Sequence, residues 1–241
     1  MTSKRRVMPR KSLRRRRRRS SKKSKKTFTK QLTKRSKSKK IRGGVTVRAQ
    51  DLTRLPSDIF AEIREMHPLL TPKLNNSTLR HAVKDYLSSN VKIKRFIISK
   101  YGEIGDWDVS NVTNMEAMFN GARSFNQPLN NWNVSKVTNM DDMFYEATSF
   151  NQPLNNWNVS NVKNMNSMFR DAISFNQPLE NWNVYNVTDM FIMFWGARSF
   201  NQPLNNWNVS KVETMLAMFD DATSFNQPLH APGYHDESES E

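Results

Sequence analysis

The chain has 241 residues, no cysteine, and 38 Lys and Arg against 22 Asp and Glu, a formal net charge of +16. Zero cysteine excludes disulfides and thiolate metal sites and fits an intracellular or intravirion setting. The apolar runs are far too short to cross a bilayer, so membrane insertion is not expected.

The charge is unevenly placed. Residues 1–48 hold 23 of the basic residues and none of the acids, leaving 15 bases against 22 acids in the rest. Such a segment buries too little apolar surface to fold alone and reads as a disordered arm. Its densest part is Arg14, Arg15, Arg16, Arg17, Arg18 and Arg19, then Lys22, Lys23, Lys25 and Lys26. Three readings compete: phosphate binding with a steep salt dependence, a nuclear-import signal, and attraction to an anionic membrane surface. The plain alternative is a solvated tail with nonspecific polyanion affinity. No apolar stretch follows the charges, so a secretory signal is not expected. Base-specific readout is not expected either, because no helix-turn-helix, zinc-finger or RNA-binding aromatic signature is present.

Residues 49–104 read as a helical region. In 55–66, Ser57 stands as a cap before an apolar face of Ile59, Ile63 and Met66, and Pro68 ends the run. A second helix is expected to start near Asn76 or Ser77, with Leu79, Val83 and Leu87 inward. A third carries Ile93, Phe96 and Ile97 at helical spacing and stops at Gly102. A stack of repeats leaves an apolar end exposed, so these helices are expected to form an N-terminal cap. The stretch LPSDIFAEI also resembles the opening of an F-box, which would imply a ubiquitin-ligase adaptor.

From residue 105 to 231 a 25-residue unit recurs without slipping. Trp107, Trp132, Trp157, Trp182 and Trp207 mark it, with Met115, Met118, Phe119 and Ala122 and their counterparts in each later copy. Each copy ends in Ser-Phe-Asn-Gln-Pro-Leu, as at Phe125 to Leu129. A period of this length means stacked units, since one unit cannot bury its own apolar face. The i, i+3, i+4, i+7 spacing from Met115 to Ala122 predicts a short helix, and the alternation of Trp132 and Val134 a short strand. The fold class expected is an α/β solenoid, leucine-rich-repeat-like, with five coils, short parallel strands and short helices. The Asn126 column is expected to satisfy backbone groups at the turns rather than to bind a ligand.

The pattern W-x-V-S-x-V-x-x-M-x-x-M-F-x-x-A-x-S-F-N-Q-P-L resembles the repeats of BspA-like leucine-rich-repeat proteins, a type also found in mycoplasma surface lipoproteins and in proteins of large DNA viruses. The resemblance covers residues 105 to about 230. It implies a leucine-rich-repeat-like scaffold used at surfaces or in protein interaction, and no activity.

Specificity is expected where copies differ. The fourth copy has Tyr185, Phe191, Ile192 and Trp195 where other copies hold mostly polar groups, bordered by Tyr145, Leu216 and Asp220. Four large side chains there read as a protein-binding patch, or as local repacking between coils. Residues 232–241 read as an acidic disordered tail. His67, His81, His230 and His235 have no metal spacing, and no P-loop, GxGxxG or GxSxG is present. No cofactor, metal, catalytic residue or small-molecule substrate is expected. The leading expectation is a non-enzymatic interaction scaffold, nuclear or virion-associated, binding an unknown protein through the repeats and nucleic acid or an import receptor through residues 1–48. The alternatives are a surface or adhesion protein and the F-box-like adaptor.

Overall fold

The computed structural model describes residues 72–228. The expectations for residues 1–48, for the helix at 55–66 and for the acidic tail lie outside the described residues.

Helix α1, Asn76–Tyr86, begins at Asn75 with a reciprocal cap. The Asn75 side chain accepts from the Thr78 amide at 3.0 Å, and the Thr78 hydroxyl accepts from the Asn75 amide at 2.9 Å. Two of the donors orphaned at a helix start are thereby paired. Helix α2, Val91–Tyr101, is capped by the Asn90 side chain and ends at Gly102, whose φ of 90° suits glycine. A 3-10 turn, Ile104–Asp106, leads into the first repeat.

Leu79 and Val83 are buried, but Leu87 is not. It is the C-cap of α1, one residue past the last helical turn, and Tyr86 takes the inward place. In α2 the buried pair is Ile97 and Tyr101, one turn apart, while Ile93 and Phe96 stand on an exposed flank. The two tyrosines bracket Trp107, each with ring centroids 5.7 Å from it. The Trp107 indole donates to Gly102 O at 3.0 Å. Asn76 accepts from the amides of Thr113 and Asn114, and the Leu74 amide donates to Asp108 O. α1 and α2 thus cover the first repeat.

Each 25-residue unit pairs with the next. The amides of Met115, Ala117, Phe119 and Gly121 donate to the carbonyls of Asn139, Asp141, Met143 and Tyr145 at 2.8–2.9 Å. The same four bonds recur one unit on, from Met140, Asp142, Phe144 and Glu146 to Asn164, Asn166, Met168 and Arg170. Parallel bridges run from Asn114 to Asn139, to Asn164, to Asp189, to Thr214.

This pairing segment is where the sequence predicts a helix, and its backbone does something else. The amides of Met118, Asn120 and Ala122 bond back three residues, to Met115, Ala117 and Phe119. Ala117 has φ 50° and Gly121 φ 68°, both in the left-handed region that several kinds of tight turn use. Consecutive tight turns replace the helix: alternate amides close a turn and the others reach the next unit. Turns of three to four residues still direct Met115, Met118 and Phe119 inward, so the apolar spacing mimics a helical stripe. The strand predicted at Trp132–Val134 is also absent. Trp132 closes a turn on Leu129, Val137 closes one on Val134, and the inter-unit ladder lies at the methionines.

The core is a set of columns. Phe119, Phe144, Phe169, Phe194 and Phe219 stack with centroids 5.4–5.6 Å apart and planes within 8° of parallel. Phe125, Phe150, Phe175, Phe200 and Phe225 form a second column at 5.8–6.0 Å. Met140, Met143, Met165, Met168, Met190 and Met193 are fully buried between units, where a flexible thioether fills irregular space. Each later indole donates to a carbonyl 28 residues back, as Trp157 does to Leu129 O at 3.0 Å.

Candidate interaction surface

The repeated polar residues are occupied within the stack. Asn126 Oδ1 accepts from the Asn151 amide at 2.9 Å and from Gln152 Nε2 at 3.0 Å. Asn151, Asn176 and Asn201 do the same for the next unit. Asn139 accepts from the amide two residues on at 3.0 Å, fixing the start of the paired segment. Asn133 and Asn158 hold Ser135 and Ser160 in the same way.

What varies from copy to copy therefore defines the surface. One column along the paired segment reads Glu116, Asp141, Asn166, Phe191, Leu216. It changes from acidic to apolar along the stack. Phe191 is half-buried and Leu216 is 65% exposed. The neighbouring column reads Asn120, Tyr145, Arg170, Trp195, Asp220. Here the Arg170 guanidinium lies between the Tyr145 and Trp195 rings, 5.1 and 4.8 Å from their centroids. A cation desolvated between two π faces is held more firmly than one in water.

Phe191, Ile192 and Trp195 sit in one paired segment and are all half-buried. Their backbones belong to the ladder: Phe191 O accepts from Ser167, the Ile192 amide donates to Leu216 O, and Trp195 O accepts from Asp171. Tyr185 lies outside that segment. It is exposed, and Lys211 Nζ stands 3.9 Å from its ring centroid. The sequence did not single out Arg170 or the exposed Ile173. Both carry a register signal, since Arg170 falls between two aromatic residues and Ile173 between Thr148 and Arg198 in their columns.

The acidic end of the first column is electrostatically tense. The Asp141 carboxyl is pushed up to about 6 by burial and by the nearby Asp142, Glu116 and Asp189 carboxylates. One of its oxygens is buried without a partner. Asp142 is also raised by burial, against a hydrogen bond from Ser167 and the Arg170 charge. Glu146 is lowered by hydrogen bonds from Arg123, at 2.6 Å, and Tyr145. No group of three or more His, Asp or Glu among the described residues can hold a metal ion. No described helix is long and apolar enough to cross a membrane. The basic residues Arg14 to Arg19, Lys22, Lys23, Lys25 and Lys26 lie outside the described residues.

The unit period, its register and the inter-unit bonds define a repeat protein. The family model described as "Mycoplasma protein of unknown function, DUF285" matches residues 82–172 and again 154–234, together more than half of the chain. The chain belongs to that family. No curated protein and no solved structure matches it significantly.

Proposed function

We propose that the chain is a non-enzymatic protein-interaction scaffold: a solenoid of the BspA type whose repeats are built from tight turns rather than from strand and helix, capped at its N-terminus by helices, with residues 1–48 engaging nucleic acid or an import receptor. One observation supports the scaffold reading above others. The repeated polar groups described above are engaged within the stack, while the columns that vary turn apolar at Phe191 and Leu216 and aromatic at Trp195. Large half-exposed side chains of this kind are the usual anchors of protein contacts.

The test is to replace Phe191 and Trp195 with asparagine, the residue that other copies carry in those columns at Asn166 and Asn120. Partner capture from cell extract should fall about tenfold, the range of one hot-spot anchor, while the thermal unfolding profile is kept. Unchanged capture by a folded variant would sink the patch. The arm is tested separately, by binding of the full chain to duplex DNA and RNA across a salt series. A steep fall with salt is expected. Absence of binding at physiological salt would leave import as the role of residues 1–48.

A further inference from the structure

The two ends of the stack are not alike. At the first unit Val112, Met115 and Phe119 are fully buried, with α1 and α2 standing against that unit. At the last unit the same positions, Val212, Met215 and Phe219, are only partly buried, and so is Phe225. That these four share one side follows from the period. In the preceding unit Phe194 and Phe200 stack on Phe219 and Phe225, and Val187 and Met190 are fully buried. On that side the amides of Met190, Ile192, Phe194 and Gly196 donate to the carbonyls of Thr214, Leu216, Met218 and Asp220. The corresponding amides of Met215, Ala217, Phe219 and Asp221 have no acceptor among the described residues. Interior phenylalanines also meet the tryptophan of the following unit, as Phe194 meets Trp207 at 6.4 Å. The position that would serve Phe219 in this way is Pro232. The ladder and both phenylalanine columns therefore stop with one side open.

What fits this side is set by its donors. Amides at alternate residues face the same way and call for carbonyls placed as those of Asn139, Asp141, Met143 and Tyr145 are, along a path of tight turns. A fully extended strand sets its carbonyls about 7 Å apart on one side, whereas consecutive turns contract the chain. A second copy offers no matching edge. Its own last unit would set N–H against N–H, and its first unit is covered by α1 and α2. Nucleic acid supplies acceptors, but Glu213, Asp220 and Asp221 outnumber Lys211 in this unit and repel phosphate.

We propose that the open side of the last unit receives a repeat unit of this same type from another polypeptide, its carbonyls accepting from Met215, Ala217, Phe219 and Asp221, its phenylalanines continuing the two columns and its tryptophan closing over Phe219. This is edge addition of the kind by which peptides extend exposed sheets, restricted to partners that follow the same turns. The inference goes beyond the surface proposed above and does not depend on Phe191 or Trp195.

The probe is a synthetic peptide of residues 155–179, one complete unit from Asn155 to Leu179, added to the full chain, and the readout is residue-resolved amide exchange. Without peptide, Met215, Ala217, Phe219 and Asp221 should exchange at least about tenfold faster than Met190, Ile192, Phe194 and Gly196. Saturating peptide should slow them to rates near those of the preceding unit. A peptide carrying Met165→Lys and Phe169→Lys, which keeps the backbone but loses the apolar side, should not. The protein itself is unaltered throughout, so no variant has to fold. Slow exchange at these amides in the free chain at any dilution overturns the proposal, since the chain then covers its own end. Slowing that grows with protein concentration alone overturns it too, by giving the side to a second copy. Equal protection by the substituted peptide, or none by the unsubstituted one at about millimolar concentration, has the same consequence.

Discussion

Asp141→Asn should make this protein more stable at neutral pH, although it removes a surface charge. In the folded chain the Asp141 carboxyl titrates at about 6, against 3.8 for an unperturbed aspartate. The cause is burial first, then repulsion from Asp142, Glu116 and Asp189. A raised acid costs stability wherever it is ionised in the fold, above pH 6, and that cost fades as pH falls through 6 towards 4. A shift of about 2 units corresponds to roughly 3 kcal/mol at the limit. The side chain is only half-buried, so solvent screening reduces this to about 1 kcal/mol. Asparagine is the residue one unit on, at Asn166, whose amide bonds to Asn164 as the Asp141 amide bonds to Asn139. The backbone therefore accepts the change. Urea unfolding at pH 7 should show a gain of about 1 kcal/mol for the variant, and at pH 4.5 most of that gain should be gone. A difference that is the same at both pH values, or a loss at pH 7, would refute the assignment of repulsion and burial at this carboxyl.

The positive-φ positions give a graded pair: Gly121→Ala should cost about 1 kcal/mol for backbone strain alone, since nothing lies near its missing Cβ, whereas Gly196→Ala should cost slightly more, because its Cβ would push aside the Asp171 carboxylate, the free end of a side chain that can turn away. Chemical unfolding of the two variants side by side checks the order. Phe169→Ala, in the middle of its column, should lose about 3–5 kcal/mol, and Phe219→Ala, only partly buried in the last unit, distinctly less. Equal losses would mean that the last unit is packed as tightly as the third. Asn151→Ala removes the acceptor of the Asn176 amide and of Gln177 Nε2. It should cost about 1–3 kcal/mol and raise amide exchange at Asn176 above that at Asn201, whose own acceptor is kept.

The repeat was legible in the sequence because its burial pattern is regular: Trp, Val, Met, Met and Phe at fixed offsets are the residues that the structure buries. The backbone path between them was not. A stripe at i, i+3, i+4 and i+7 is produced by an α-helix and equally by consecutive tight turns, so spacing alone does not separate them. The distinguishing signal was the set of residues at Ala117, Asp142, Ser167, Ile192 and Ala217, all at positive φ. No glycine or asparagine marks that column, so nothing in the residue types announced it. The column four residues on does carry the mark, as Gly121 and Gly196 alternate with Glu146, Asp171 and Asp221. At Leu87 and Phe96 the sequence failed for another reason. Helical spacing says which residues share a face, but α1 ends one residue before Leu87, and α2 turns Ile97 and Tyr101 rather than Phe96 towards Trp107.

The candidate surface follows from the same logic run in reverse. In a stack with a fixed register, a residue repeated in every copy meets its own image one unit away, and both are satisfied there. The phenylalanine columns and the Asn126 column are two instances, one apolar and one polar. A residue that breaks the column meets an image of different chemistry. Arg170 between Tyr145 and Trp195 turns that mismatch into a favourable contact, while Asp141 beside Glu116 turns it into repulsion. Phe191 above Leu216 leaves apolar surface that no described residue fully covers. Only this last kind of mismatch still gains by burial against another molecule. On the scaffold reading proposed above, the gradient from Glu116 to Leu216 favours the last two units, rather than the acidic first two, as the place where a protein partner would gain most.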